Sequence, residues 1–171
     1  TRVMGVDGEN PAPSIRRNLD YFLESIDIAQ SGGPPSDLLV FHEFPITGFA
    51  EWTREQHYNL AITLDGPELA EVAAKAKQYR CYIVFGGYFK DPENWPGHIL
   101  HQMILMGPDG LVANHWKQRN LRGMWPSEQY TTTIYDVYDR FVEMYGIDAV
   151  VPVAQTDIGN IAMSAVQFEP E

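Results

Sequence analysis

Apolar residues recur along this chain in two rhythms. Ile15, Leu19, Phe22, Ile26 and Ala29 follow one another in steps of four and three, which predicts a helix with one face in a core. Ser14 is the N-cap in this reading, and Gly32-Gly33-Pro34-Pro35 ends the segment. A short unbroken apolar run follows, Leu38-Leu39-Val40-Phe41, which reads as a strand buried on both faces. The order then repeats. Asp65-Gly66-Pro67 opens a second helix with Leu69, Val72, Ala73 and Ala76 on one face, Pro67 suiting its first turn. Cys81 to Phe85 is the next strand, closed by Gly86-Gly87.

Between Ile99 and His115 the rhythm changes. Two strand-like runs, Ile99 to Met106 and Leu111 to His115, flank Gly107-Pro108-Asp109-Gly110 and predict a β-hairpin. Ile134, Tyr138, Phe141 and Tyr145 then mark a third helix stopped by Gly146, and Ala149 to Ala154 and Ile161 to Val166 are final strands. Helices alternating with strands indicate an α/β layered fold. No repeat and no linker divides the chain, so residues 1–171 read as a single domain. Phe168 to Glu171 follow the last strand with no helix to cover it, and Thr1 is not an initiator methionine. The expectation is a domain incomplete at its C-terminal end, the remainder removed by processing or carried as a companion C-terminal polypeptide. The alternative is that Ile161 to Val166 is an edge strand.

Composition narrows the class. Of 171 residues 44% are hydrophobic and 20% charged, a globular balance. Twelve basic against 23 acidic residues give a net charge of −11, a surface that repels phosphate backbones and anionic lipid, so neither nucleic acid nor membrane is an expected partner. With one cysteine, Cys81, there is no disulfide within the chain, and a cytoplasmic location is expected.

Three charged residues stand where chemistry could use them. Glu43 follows the Leu38–Phe41 strand, at the carboxyl end where α/β folds place their sites. Lys117 ends the second hairpin strand beside Trp116, and a partly buried lysine near a glutamate can stabilise a developing oxyanion. Glu128 lies in the aromatic stretch Trp125-Pro-Ser-Glu-Gln-Tyr130. Each has a plain alternative: a solvated strand-end carboxylate, a snorkelling lysine, an ordinary loop glutamate.

Taken in order, these segments resemble the nitrilase or carbon–nitrogen hydrolase superfamily. The likeness rests on Leu38-Leu-Val-Phe41 before Glu43, the Ile46-Thr47-Gly48 step and the Asp65-Gly66-Pro67 helix start. It continues through Ile83 to Gly86, the Pro108-Asp109-Gly110 hairpin, Lys117 and Glu128, and so covers nearly the whole chain. The resemblance implies an αββα sandwich, dimerised through that sandwich or assembled further. It implies a Glu-Lys-Cys site that cleaves non-peptide C–N bonds in amides, nitriles or carbamoyl compounds without metal or organic cofactor. By that resemblance Glu43 is the general base, Lys117 the stabiliser of charge on the substrate, and Glu128 the residue that holds Lys117 or the substrate. Trp116, Trp125 and Tyr130 are candidates to line a pocket for a small amide or nitrile, or else packing residues.

The nucleophile departs from the pattern. The family places a cysteine before a Pro-Glu pair, and Asp157 to Glu171 contains none. Counting back from Pro170-Glu171 puts Ser164 at that position, and counting forward from Gly159 puts Val166 there. Cys81 reads as a small buried hydrophobe at the start of a core strand. His42 stands where proline is common in the family, and either tunes Glu43 or fills space. A long insert lies between Glu128 and Gly159, including the Tyr135 to Tyr145 helix. Two other readings compete: a non-catalytic binding or scaffold subunit with the same fold, and a metal hydrolase using His98, His101 and His115.

Overall fold

A computed structural model describes residues 2–120 and 126–165. Helix α1 (Pro11–Ser31) begins three residues before Ser14, with prolines in its first turn and Asn10 at its cap position. Ile15, Leu19, Phe22 and Ile26 are buried as the spacing predicts, but Ala29 is exposed and Gln30 takes the inward position. The Gln30 amide both donates to the Ser36 carbonyl and accepts from the Ser36 N–H, so it caps the turn into the first strand.

Strand β1 (Leu38–Val40) buries only Leu39; Val40 is 69% exposed. It pairs in parallel with β2 and with no other described strand, so it is an edge rather than a strand covered on both faces. Helix α2 (Arg54–Leu60) is an element that apolar spacing did not reveal. Its signal is a capping box, Thr53 Oγ1 accepting from the Gln56 N–H while the Gln56 side chain accepts from the Thr53 N–H. Helix α3 (Pro67–Tyr79) follows the expected Gly-Pro start and buries Leu69, Val72 and Ala76.

Strand β2 (Tyr82–Asp91) runs straight through Gly86-Gly87 instead of stopping there. It pairs antiparallel with β3 (Trp95–Gly107), and β3 with β4 (Gly110–Trp116) across the expected hairpin. A short β5 (Thr131–Thr132) adds in parallel to β3. The third helix is broken: a 3₁₀ turn at Ile134–Asp136 precedes α4 (Tyr138–Tyr145), and Gly146 ends it at φ 83°. The final strands are shorter than the apolar runs, β6 (Val153–Thr156) and β7 (Gly159–Ala162), joined as a hairpin at Asp157-Ile158. Val166 lies outside the described residues.

Strand alternation divides the main sheet into two faces. Ile83, Phe85, Ile104 and Met106 turn toward α1 and α3, in one core with Phe22, Leu69 and Val72. Val84, Met103 and Leu105 turn the other way and meet Met163 and Ala165, which follow β7. The Tyr82 hydroxyl ties this second layer down by donating to Asp157 Oδ1 at 2.7 Å. Helices on one face of a sheet and a second sheet on the other are the α-β-β layers that the resemblance implies.

Gly86 explains why glycine stands inside a core strand. A Cβ there would lie 2.6 Å from the Glu43 carbonyl oxygen and 2.6 Å from Met103 Sδ. The backbone that carries Glu43 thus rests directly on β2. Gly86→Ala is expected to destabilise the fold by about 2 kcal/mol through overpacking. Urea unfolding would read the loss, and a midpoint equal to that of the parent would show that the loop does not press on β2.

Candidate active site

The segment after β1 is held on both sides. Phe41 N–H donates to the Val84 carbonyl at 2.8 Å, and Ile46 is buried with its carbonyl accepting from Asn18 Nδ2 at 3.0 Å. Thr47 Oγ1 accepts from the Tyr88 N–H at 3.2 Å, and Gly48 takes φ 66° against the Met4 carbonyl. The Ile-Thr-Gly step is therefore an anchor, a strand-edge acceptor and a left-handed turn, each fixing where Glu43 projects. His42 Nδ1 accepts from the Phe44 N–H at 3.2 Å, so this ring shapes the turn, and burial pushes its pKa down.

Three neighbouring strands then supply one row of side chains. Tyr88 on β2 and His101 on β3 are cross-strand partners, and Lys117, just past β4, donates its N–H to the His101 carbonyl at 2.8 Å. Alternation puts His101 on the face that carries Met103 and Leu105. Lys117 is gripped again by its own carbonyl, which accepts from the Ile134 N–H at 3.1 Å.

Glu128 closes the row from a 3₁₀ turn, Pro126–Tyr130. Its Oε2 lies 2.7 Å from Lys117 Nζ and 3.2 Å from His101 Nδ1, and its Oε1 accepts from the Tyr88 hydroxyl at 2.5 Å. Asn120 fixes the turn itself, donating through Nδ2 to the Glu128 carbonyl at 2.7 Å and to Thr131 Oγ1 at 2.8 Å. Glu43 Oε1 approaches His101 Nε2 at 3.2 Å, an ion-pair distance without hydrogen-bond alignment. The side chains of Lys117 and Glu128 are 12% and 4% exposed, whereas that of Glu43 is 38% exposed, so the glutamate is the member open to a ligand.

The electrostatics follow from this packing. Burial by itself lifts a carboxyl pKa, but the His101 hydrogen bond and charge, with Lys117, outweigh it and hold Glu128 well below the usual carboxylate range. Burial opposes a charge on His101, yet the two carboxylates outweigh it and raise its pKa. Burial and then the Glu128 charge push the Tyr88 phenol far up, so it remains a donor.

Glu43, Lys117 and Glu128 are thus brought into one cluster. Trp116 is not: its ring packs edge-on against Trp95 and Phe141, 5.2 and 5.1 Å between centroids, on the opposite face from Lys117. That face opens a separate cavity of about 730 Å3 lined by Lys90, Asp91, Gln102, Asn114, Trp116 and Phe141. Tyr130 is half-buried at the end of the 3₁₀ turn and packs on the core. Trp125 lies outside the described residues. Ser164 is exposed while Met163 and Ala165 on either side are buried, and no hydrogen bond or ion pair among the described residues joins it to the cluster. Cys81 is fully buried before β2, roughly 23 Å of extended strand from Tyr88. Burial raises its thiol pKa, the opposite of what a nucleophile needs.

Two members of the cluster, Tyr88 and Asn120, carried no sequence signal beyond a polar residue near an apolar run. His101 carried one, a titratable residue at a buried strand position, but it pointed to metal. Among the described residues no group of three His, Cys, Asp or Glu side chains is placed to hold a metal ion.

The family model described as carbon-nitrogen hydrolase matches residues 6–167. This chain belongs to the carbon–nitrogen hydrolase family. The solved structures it resembles agree in fold. Nit3 of Saccharomyces cerevisiae, a member of branch 10 of the nitrilase superfamily, superposes with a TM-score of 0.64 at 16% identity, over 88% of this chain and 49% of that one. XC1258 of Xanthomonas campestris, a CN-hydrolase superfamily protein with an arsenic adduct in its active site, gives 0.56 at 18% identity, over 70% and 41%. An N-terminal amidase gives 0.57 at 17%, over 70% and 27%. The chain therefore spans between about a quarter and a half of the length of these carbon–nitrogen hydrolase structures. No curated protein matches it significantly in sequence. Among the described residues no helix is long and apolar enough to cross a membrane.

Proposed function

We propose that the cluster of Glu43, Lys117 and Glu128 is the acid–base and charge-stabilising part of a hydrolase site for a non-peptide C–N bond in a small amide, nitrile or carbamoyl compound. The observation that carries this reading is the 2.7 Å pair of Lys117 and Glu128, buried beside a carboxylate that stays open. A buried pair is costly to keep and stabilises a fold little, so its use as a preset cation is the better account.

On an amide, Glu43 takes the proton of the nucleophile as that atom bonds to the carbonyl carbon. Lys117 Nζ stabilises the resulting oxyanion, and Glu43 returns the proton to the nitrogen as the C–N bond breaks. Glu43 then deprotonates water, which releases the acid from the acyl intermediate. Ser164 is the position proposed for the nucleophile. A hydroxyl there, exposed and outside the cluster, is expected to support only slow turnover.

Ammonia release from a panel of small amides and nitriles by the full-length protein tests the assignment. Glu43→Gln and Lys117→Ala are each expected to lower kcat/KM by about a hundredfold or more. Undiminished release in both variants would refute it. A homodimer or larger assembly, and a companion polypeptide if one exists, would appear as a native mass above that of the 171 residues.

A specific observation also favours a binding subunit: the one cysteine is sealed in the core at the far end of β2. Under that reading calorimetry detects amide binding that Lys117→Ala abolishes, and no ammonia is released.

A further inference from the structure

We propose that His101 is the positioning residue of this site: a doubly protonated imidazolium between Glu43 and Glu128 that holds the base in register with Lys117 and leaves Glu43 Oε2 to accept the proton. The inference deepens the hydrolase reading and rests on it for its catalytic half.

The argument is one of donors and acceptors. The His101 side chain is fully buried, with a carboxylate oxygen 3.2 Å from each ring nitrogen, Glu43 Oε1 at Nε2 and Glu128 Oε2 at Nδ1. A neutral imidazole has one N–H and one lone pair, so it would satisfy one carboxylate and turn a lone pair on the other. Only the imidazolium carries a proton on each nitrogen: Nδ1–H bonds Glu128 Oε2, and the charge meets Glu43 Oε1, 3.2 Å from Nε2, as an ion pair. Among the described residues, a charged His101 gives the cluster two cations against two carboxylates, and a neutral one leaves Lys117 as its one cation. The remaining groups packed around the ring agree. Tyr88 on β2 donates its hydroxyl to Glu128 Oε1 and adds no charge. His115 on β4 is held neutral by burial and by the charge on His101. Phe44, after β1, lays its ring 4.9 Å from the imidazole, centroid to centroid.

The position also explains how two carboxylates on distant segments keep their relation. Glu43 comes from the turn after β1 and Glu128 from the 3₁₀ turn. His101 alone among the described residues pairs with both. Its backbone carbonyl holds the Lys117 N–H as well. One residue of β3 therefore sets the geometry of base, cation and cation holder together.

Long-range ¹⁵N–¹H NMR of the full chain between pH 5 and 9 tests the proposal. Both His101 nitrogens are expected at imidazolium shifts at pH 7, with the resonances assigned by their loss in His101→Asn. Glu43→Gln, a change at a partly exposed side chain, is expected to lower the pH at which the ring loses its proton. One bare ring nitrogen at pH 7, or no response to Glu43→Gln, would overturn the proposal. In turnover, His101→Asn is expected to cut kcat/KM by about tenfold to a hundredfold. The loss should fall on kcat with KM little changed, because His101 orients the base without touching substrate. A loss carried by KM alone would mean a merely structural role and overturn the catalytic half. An imidazolium in a protein that shows no Glu43-dependent ammonia release would support His101 as placed and sink only the hydrolase reading.

Discussion

Replacing Lys117 with alanine is expected to remove both activity and a large share of stability. The ammonium sits 2.7 Å from Glu128 Oε2 and the two side chains are 12% and 4% exposed, so the carboxylate cannot turn to bulk water when the cation is gone. Deleting one partner of a buried pair typically costs about 3–5 kcal/mol, because the other charge stays buried. The lower end applies here, roughly 3 kcal/mol, since His101 and Tyr88 still contact Glu128. Lys117→Met, which keeps the aliphatic volume, should lose the same charge but less packing. Chemical denaturation of Lys117→Ala alone and together with Glu128→Gln separates the terms. If the double variant is no more stable than the single one, the uncompensated charge is not the cause.

Stability is expected to peak in mildly acidic solution and to fall on both sides. Glu128 has a folded-state pKa depressed below the ordinary carboxylate value of 4.5 by His101 and Lys117, working against burial. Its contribution is therefore complete above about pH 4.5 and is lost as pH drops through the depressed value. His101 has a folded-state pKa raised above the ordinary histidine value of 6.5 by the two carboxylates, again against burial. Its contribution is complete below about pH 6.5 and is lost as pH rises through the raised value. The window common to both runs from about pH 4.5 to 6.5. Thermal unfolding should show a maximum there, with each kcal/mol lost on the alkaline side lowering Tm by roughly 3 °C. In His101→Asn the alkaline decline should flatten. A parent and variant that decline in parallel would show that other groups control the slope.

Much of the frame was legible because its signals are local. Helix α1 needs a stripe of apolar residues, and Ile15, Leu19, Phe22 and Ile26 provide it. The β3–β4 hairpin needs a turn between two apolar runs, and Gly107-Pro108-Asp109-Gly110 provides that. The local cue fails where a partner distant in sequence overrides it. Gly86-Gly87 resembles a strand end, yet β2 continues because the Glu43 backbone lies against it and leaves no room for a side chain. Leu38 to Phe41 resembles a doubly buried strand, yet among the described residues β1 has one paired neighbour, and Val40 is largely exposed.

The site divides in the same way. The sequence alone determined which ionisable residues were candidates, since a carboxylate after a core strand and a lysine closing a hairpin are recognisable in order and spacing. Only the tertiary structure decided how they work together. Neighbouring strands put Tyr88, His101 and Lys117 side by side from positions 88, 101 and 117, and the 3₁₀ turn lays Glu128 across all three. It also separated Trp116 from Lys117, adjacent in sequence but on opposite faces of one sheet. The physical reason is the two-residue alternation of an extended chain, which sends neighbours apart while sheet pairing joins residues far apart along it. The charge on His101 depends on two carboxylates that come to either side of its ring only when the chain is folded.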